Sequence, residues 1–464
     1  MDKFVVKLKK NYKEKIVAFL IFVMGLTMSF MIPTWQTPDE YAHLNMIGNS
    51  IGVADFAENI LDSSGIEKGR IEFNYDEKVD LTEQENALNK SVTYQKKDML
   101  PQSISFGIIK HLPATLGILL GILLGVPSYW VLQLGEIFSL LFYVVICFVA
   151  LIKLPIKKEV MAFIMLFPMA LQQAGSISYD AVLIPLCFFF ICYILYLKYE
   201  KEVVGFREIC NVILLWIVIT YIKVPYVFLI FLILIIPLEK IRVYIGKIKI
   251  DEDFIRKIRI PVIMIGAAGI IVALYMFRYN KWIQIIYGFV VEWRRGLYLF
   301  RATGKTWTKF LMTSTVCNLG WLDTPMIFWG VVLVNFLLFG FAFINSDVKY
   351  KGKMRKWDVL VVVGTVVFLC VFTTLAMVNH TITMTLFGSE TTSETYSIRT
   401  ALYQIPYIGG LQGRYYLPFL SLFCLPFSQK IQVNQKIAQV LFYFVELLLY
   451  LYVIGMVLQR YWMA

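Results

Sequence analysis

The sequence predicts an all-α, polytopic membrane protein of about eleven transmembrane helices, with further helices lying on the outer membrane face. Three observations predict it. Hydrophobic residues make up 59% of the 464 and charged residues only 16%, against roughly 45–50% and about 25% in soluble domains. The apolar residues fall in separate runs of span length, which argues for helices and against the short alternating segments of a β-barrel. The Lys and Arg residues are mostly parcelled into short segments between those runs. That is the positive-inside pattern, so the net charge of +12 reflects orientation in a plasma membrane and gives no case for nucleic acid.

One integral domain, 1–464, is expected, and its elements follow in order. Lys3, Lys7, Lys9, Lys10, Lys13 and Lys15 precede the first apolar run, 16–32. They place the N-terminus in the cytoplasm, and no small-residue cleavage site follows the run, so it reads as an uncleaved first helix. Segment 33–127 forms the first outer loop, acidic from Asp55 to Glu85. It ends in the apolar run 104–126, which carries Lys110, His111 and Pro113. Counting that run as a span would put Lys153, Lys157 and Lys158 outside, so it is read as a re-entrant or interfacial helix pair. Helix two is then 129–152, helix three 160–171 and helix four 181–197. Run 209–237 is too long for one span and basic at both ends, which predicts a hairpin of two short helices with Lys223 at its tip. Helix seven covers 261–277. A second large outer loop, 278–325, carries Arg294 and Arg295 beside Trp293. Helices eight (326–344) and nine (359–378) flank a basic inner segment. A polar outer stretch, 379–413, leads to a short tenth helix ending near 427 and an eleventh over 437–458, with the C-terminus outside. Most cysteines lie in apolar runs without the close spacing of a metal site, and no structural disulfide is expected.

This topology gathers the unusual polar residues on one face. Asp39, Glu40 and His43 follow helix one, Tyr179 and Asp180 open helix four, Lys223 tips the hairpin, and Arg414 and Tyr415 precede the tenth helix. A carboxylate beside a hydroxyl acts as a general base, and burial near a second acid tunes such a group towards working pH. Cations at helix ends hold a phosphate and stabilise it as a leaving group. Together these are the parts needed to move a group from a lipid phosphate to a hydroxyl. Each residue also has an ordinary reading. Asp180 caps a helix N-terminus, Lys223 snorkels to the interface, Arg414 anchors a headgroup, Arg294 and Arg295 rim an interfacial helix, and His43 packs.

The order of Pro38-Asp39-Glu40-Tyr41-Ala42-His43, a long loop with an interfacial helix, and Ser178-Tyr179-Asp180 resembles the GT-C glycosyltransferases that use polyprenyl-phosphate sugars. With Ser176-Ile177-Ser178-Tyr179-Asp180-Ala181 and Gln412-Gly413-Arg414-Tyr415-Tyr416-Leu417-Pro418 added, the chain resembles more closely a bacterial membrane family of unknown function placed near that superfamily. The resemblance implies that Asp39 matches the first-loop acid taken as catalytic base, and that Glu40 matches the second acid of the Asp-Glu pair in protein mannosyltransferases. Asp180 matches an acid in the second outer loop that binds metal in some members. This chain lacks an Asp-x-Asp there, so no metal ligand is assigned and a divalent cation stays open as the one candidate cofactor.

The expected function is an inverting membrane glycosyltransferase. Asp39 and Glu40 would be catalytic, and His43, Tyr179, Asp180, Lys223, Arg294, Arg295, Arg414 and Tyr415 would bind substrate. Its partners would be a polyprenyl-phosphate sugar donor, a glycan or lipid-linked acceptor and membrane lipids. The alternatives are a transporter or flippase of a lipid-linked saccharide and a non-catalytic envelope-assembly partner.

Overall fold

The structure, a computed structural model, describes residues 11–33, 36–62, 94, 96–245, 248–257, 275–345, 354–387, 398–428 and 431–463. Within them the chain is almost all helix. Three ribbons pair short strands, Val243–Ile245 with Ile248–Ile250, Asn318–Leu319 with Thr324–Pro325, and Ile344–Asn345 with Ile431–Gln432. The seventh expected helix, 261–277, lies outside the described residues except at 275–277, as do the acids of the first outer loop between 67 and 85.

Helix α1 is Tyr12–Met31, followed by the short α2, Glu40–Ile51, and α3, Phe56–Asp62. A 3-10 segment, Phe106–His111, runs directly into α4, Leu112–Leu124. The expected helix pair is therefore one continuous segment, long and apolar enough to cross a membrane. Pro113 does not interrupt it because it occupies the first turn of α4, where a missing backbone N–H costs nothing. Gly125, at φ +69°, turns the chain into α5, Ser128–Lys153. The two helices touch through small residues, since a Cβ on Gly117 would stand 2.2 Å from the Leu134 carbonyl oxygen.

The expected third helix is broken into α6, Lys158–Met165, and α7, Pro168–Ala174. The residue before a proline is driven out of the helical region, and Phe167 accordingly takes ψ 136°. α8, Asp180–Tyr199, is the centre of the bundle, with 83% of its apolar window buried against 28% for the last helix. A helix apolar all round belongs inside a bundle. Its far end is tied by the buried ion pair Lys198–Asp358, 2.6 Å, to the first turn of the helix Lys356–Leu375. α9, Phe206–Ile222, and a 3-10 helix, Val224–Ile235, form the expected hairpin with Lys223 at the turn.

Beyond it come α10, Lys281–Val291; α11, Trp293–Val316; α12, Phe328–Phe343; and α13, Lys356–Leu375. α14, Val378–Phe387, and α15, Ile398–Gln404, occupy the stretch expected to be a polar loop. The short α16, Leu420–Cys424, and the long α17, Gln435–Tyr461, complete the described chain. Among the described residues six helical segments are long and apolar enough to cross a membrane: Tyr12–Met31, Phe106–Leu124, Ser128–Lys153, Asp180–Tyr199, Lys356–Thr385 and Lys436–Tyr461. The protein is a multi-pass membrane protein.

Candidate functional site

At one end of α8 the chain brings together the C-terminal side of α1, the start of α8, the α9 hairpin turn and the turn Gly413–Tyr415. Arg414 is at the middle of this junction and is almost wholly buried. Its Nη2 donates to Asp39 Oδ2 at 2.7 Å and its Nη1 to Gln173 Oε1 at 3.2 Å. Its Nε lies 3.7 Å from Asp180 Oδ2 but has no hydrogen-bond partner. Burial opposes the charge on the guanidinium, yet Asp180, Tyr415 and Asp39 together outweigh it and hold Arg414 protonated above its ordinary range.

Lys223 approaches the same carboxylate from the other side, with Nζ 3.9 Å from Asp180 Oδ1. That nitrogen is buried, has no hydrogen-bond partner, and stands 3.8 Å over the ring of Tyr415 and 5.4 Å from that of Tyr179. Two cations thus converge on one buried acid, each with a donor left unfilled. Asp180 itself is set by its own turn, in which Ser178 Oγ accepts the Asp180 N–H at 3.1 Å.

Asp39 differs from Asp180 in being half exposed, at 54% against 4% for the side chains. It stands at φ +70°, a left-handed conformation that Asp and Asn tolerate better than other residues with a Cβ. Glu40 turns into the bundle, where its carboxylate accepts the Thr37 N–H at 3.4 Å and lies within electrostatic reach of Glu136.

The position of Arg414 depends on Gly413. Its N–H donates to Ser314 Oγ at 2.8 Å, and a Cβ there would lie 2.1 Å from the Thr315 nitrogen and 2.5 Å from the Leu311 oxygen. Those are backbone atoms of α11 and cannot swing aside. Gly413→Ala is expected to destabilise the fold by at least about 1–3 kcal/mol, the usual cost of overpacking, and to weaken the Asp39–Arg414 bond. Thermal unfolding of the variant in detergent checks the first effect.

His43 makes hydrogen-bond contacts through both ring nitrogens, Nδ1 to His111 Nε2 at 3.0 Å and Nε2 to Ser178 Oγ at 3.4 Å, and its ring meets Tyr179 edge-on. Burial first, then the charges of Arg414 and Lys223, pull it from 6.5 down to about 3. It is neutral at working pH. Between 6.5 and 3 an unfolded chain binds a proton that the folded one does not, so this residue removes stability as pH falls through that window and contributes no slope above it. The expected loss is about 1.4 kcal/mol per pH unit, and His43→Gln should show a flatter profile of unfolding against pH.

The structure therefore brings Asp39, Asp180, Lys223, Arg414, Tyr179 and Tyr415 into contact, with His43 beside them. It does not bring Arg294 and Arg295 there. Arg294 stacks on Trp293 at 5.4 Å, and Arg295 donates to the carbonyls of Leu402, Tyr403 and Ile405, which closes the end of α15. Sequence reasoning missed Gln173 and His111. Gln173 had a signal, being a polar residue in an apolar helix three positions before the Ser-Ile-Ser-Tyr-Asp motif. His111 was read only as an interruption of an apolar run.

A family model described as a predicted membrane protein (DUF2142) matches residues 22–423. No curated protein and no solved structure matches the chain.

Proposed function

The chain belongs to the DUF2142 family of predicted membrane proteins, and we propose that it is a glycosyltransferase that moves a sugar from a polyprenyl-phosphate donor to a hydroxyl on a cell-envelope glycan or lipid-linked precursor. The observation that carries this reading is the pair of buried cations, Arg414 and Lys223, each with an unfilled donor, beside a half-exposed carboxylate. A phosphate bearing a leaving sugar meets the unfilled donors. Asp39 then takes the proton of the attacking hydroxyl as the sugar–phosphate bond breaks, Glu40 holds the Thr37 N–H in the turn behind it, and the released phosphate keeps its negative charge against Lys223 and Arg414. Attack on the face opposite the phosphate inverts the anomeric centre. Tyr179 and Tyr415 supply ring faces on which the sugar or the lysine stacks. The exposed apolar side chains Leu214, Ile217 and Tyr221 lead along α9 to Lys223 and offer the lipid tail a path.

In this reading the full chain crosses the plasma membrane about eleven times with its N-terminus in the cytoplasm, the arrangement is GT-C-like, and the site opens outward. Flipping of a lipid-linked saccharide is less well supported, because a transporter keeps its substrate site near the bilayer midplane, whereas this cluster is built from helix ends. The test is to compare envelope glycans by mass spectrometry with and without the protein, then to assay the purified chain with polyprenyl-phosphate sugars. Loss of one sugar from the glycans, and its transfer in vitro, is the expected result. Unchanged glycans together with no transfer from any such donor would sink the proposal.

A further inference from the structure

A second polar cluster lies among α1, α5 and α7, and nothing in the transferase reading uses its cavity. The cavity has room for one water-sized occupant and is lined by Ser29, Thr37, Glu136 and Gln172, with Gly175 beside them. Glu136 comes from α5, is almost wholly buried, and takes two donors on one oxygen: Ser29 Oγ at 2.5 Å and Gln133 Nε2 at 3.4 Å. Among the described residues no Lys, Arg or His forms an ion pair with it.

The hydrogen-bond inventory of this cluster is unbalanced. Gln172 spends its NH2 group on the Gly320 carbonyl (3.2 Å) and Thr37 Oγ1 (3.5 Å), which fixes the orientation of its amide. Its Oε1 is then left buried with no donor, on a side chain only 3% exposed that lines the cavity. Gln133 is in the same state, with Nε2 also donating to the Ser29 carbonyl at 3.4 Å and Oε1 unpartnered. The cluster therefore leaves two amide oxygens without a donor, while the amide N–H groups of Gln133 and Gln172 are already used. Burying such oxygens unpartnered costs about 1–3 kcal/mol each, and a carboxyl group inside a membrane protein is neutralised either by a proton or by a cation. Hard cations are held by carboxylate, amide and hydroxyl oxygens of this kind. Glu136 is the one carboxylate among the lining residues, with Glu40 in electrostatic reach of it, and neutral oxygens completing the set match a single positive charge.

We propose that the cavity between α1, α5 and α7 binds one sodium ion through Glu136, Gln172, Ser29 and Thr37. Because Thr37 and Gln172 belong to the segments leading to Asp39 and Asp180, an ion here would tie α1 to α7 just beneath the Arg414 cluster. The inference does not rest on the transferase reading and would survive its failure.

The test uses the full chain purified in detergent, with thermal unfolding measured in sodium, potassium and choline chloride at matched ionic strength, and with equilibrium binding of radioactive sodium. A saturable rise in Tm specific to sodium, with about one ion bound per chain, is expected from mass action on the folded state. Glu136→Gln should abolish both, and Gln172→Leu should raise the half-saturating sodium concentration at least about tenfold, the equivalent of 1.4 kcal/mol. Asp180→Asn, in the neighbouring cluster, should keep the sodium response. Equal Tm in sodium and choline with no bound sodium would mean that the cavity holds only water, and would overturn the proposal. So would a sodium response unchanged in Glu136→Gln. Should that variant fail to fold, an unchanged half-saturation in Gln172→Leu is equally decisive against it.

Discussion

Asp39→Asn is expected to lower sugar transfer by about 10²–10⁴-fold, the usual share of a positioned general base, while the chain stays folded. Asn is the informative replacement. Position 39 has φ +70°, and Asn is among the few residues that tolerate the left-handed region, so the turn between α1 and α2 survives. The amide oxygen still accepts from Arg414, now without the charge that makes the 2.7 Å bond strong. What the variant loses is the ability to take a proton. Donor binding, measured separately, should change far less than the rate of the chemical step. The rate is best read in a single turnover, with unfolding followed in parallel to show that the protein is intact. Transfer at the wild-type rate by Asp39→Asn would remove Asp39 from the mechanism, whatever the rest of the cluster does.

Arg414→Ala is expected to cost about 3–5 kcal/mol of stability, because it strips a buried acid of its partner. Asp180 and Arg414 are each only 3–4% exposed in their side chains, so the pair is shielded from bulk solvent. Lys223, 3.9 Å from Asp180 and without a hydrogen bond, remains as the acid's second cation, which places the expected cost at the lower end of that range. Gln173 loses its partner as well. The same logic predicts the double variant. Asp180→Asn with Arg414→Ala should be destabilised by less than the sum of the two single changes, since the second removes the charge that the first left stranded. Unfolding of the four proteins of this cycle in one detergent measures the coupling. Additive effects would show that the pair does not interact energetically.

Much of this architecture was legible along the chain. The apolar runs placed α1, α5, α8, α13 and α17, because a span must be apolar over a length set by the bilayer. The hairpin with Lys223 at its turn followed from a run too long for one crossing and too short for two full ones. Other elements were misread for specific reasons. Pro113 looks along the chain like an interruption, but a proline in a first turn is compatible with a helix. Residues 160–171 are apolar enough for one helix, but Pro168 lies among them and forces Phe167 out of the helical region. Residues 379–413 looked polar enough for a loop, and two helices form there because Val378, Ile382, Ile398 and Leu402 bury one face against α10 and α11.

The sequence by itself determined that the protein is a helical, multi-pass membrane protein, and that Asp39, Asp180, Lys223 and Arg414 stand at the ends of helices. Those properties are local, since composition, run length and flanking charge are read over a few tens of residues. Only the tertiary structure decided that Arg414 reaches Asp39 across 375 positions of sequence and Gln173 across 241, while Arg295 is spent on the carbonyls of α15. Pairing at that separation depends on how α8 is enclosed by its neighbours and on the bare backbone of Gly413 against α11. A salt bridge has no periodicity, so nothing along the chain announces which of several equivalent cations will be the one buried beside the acid.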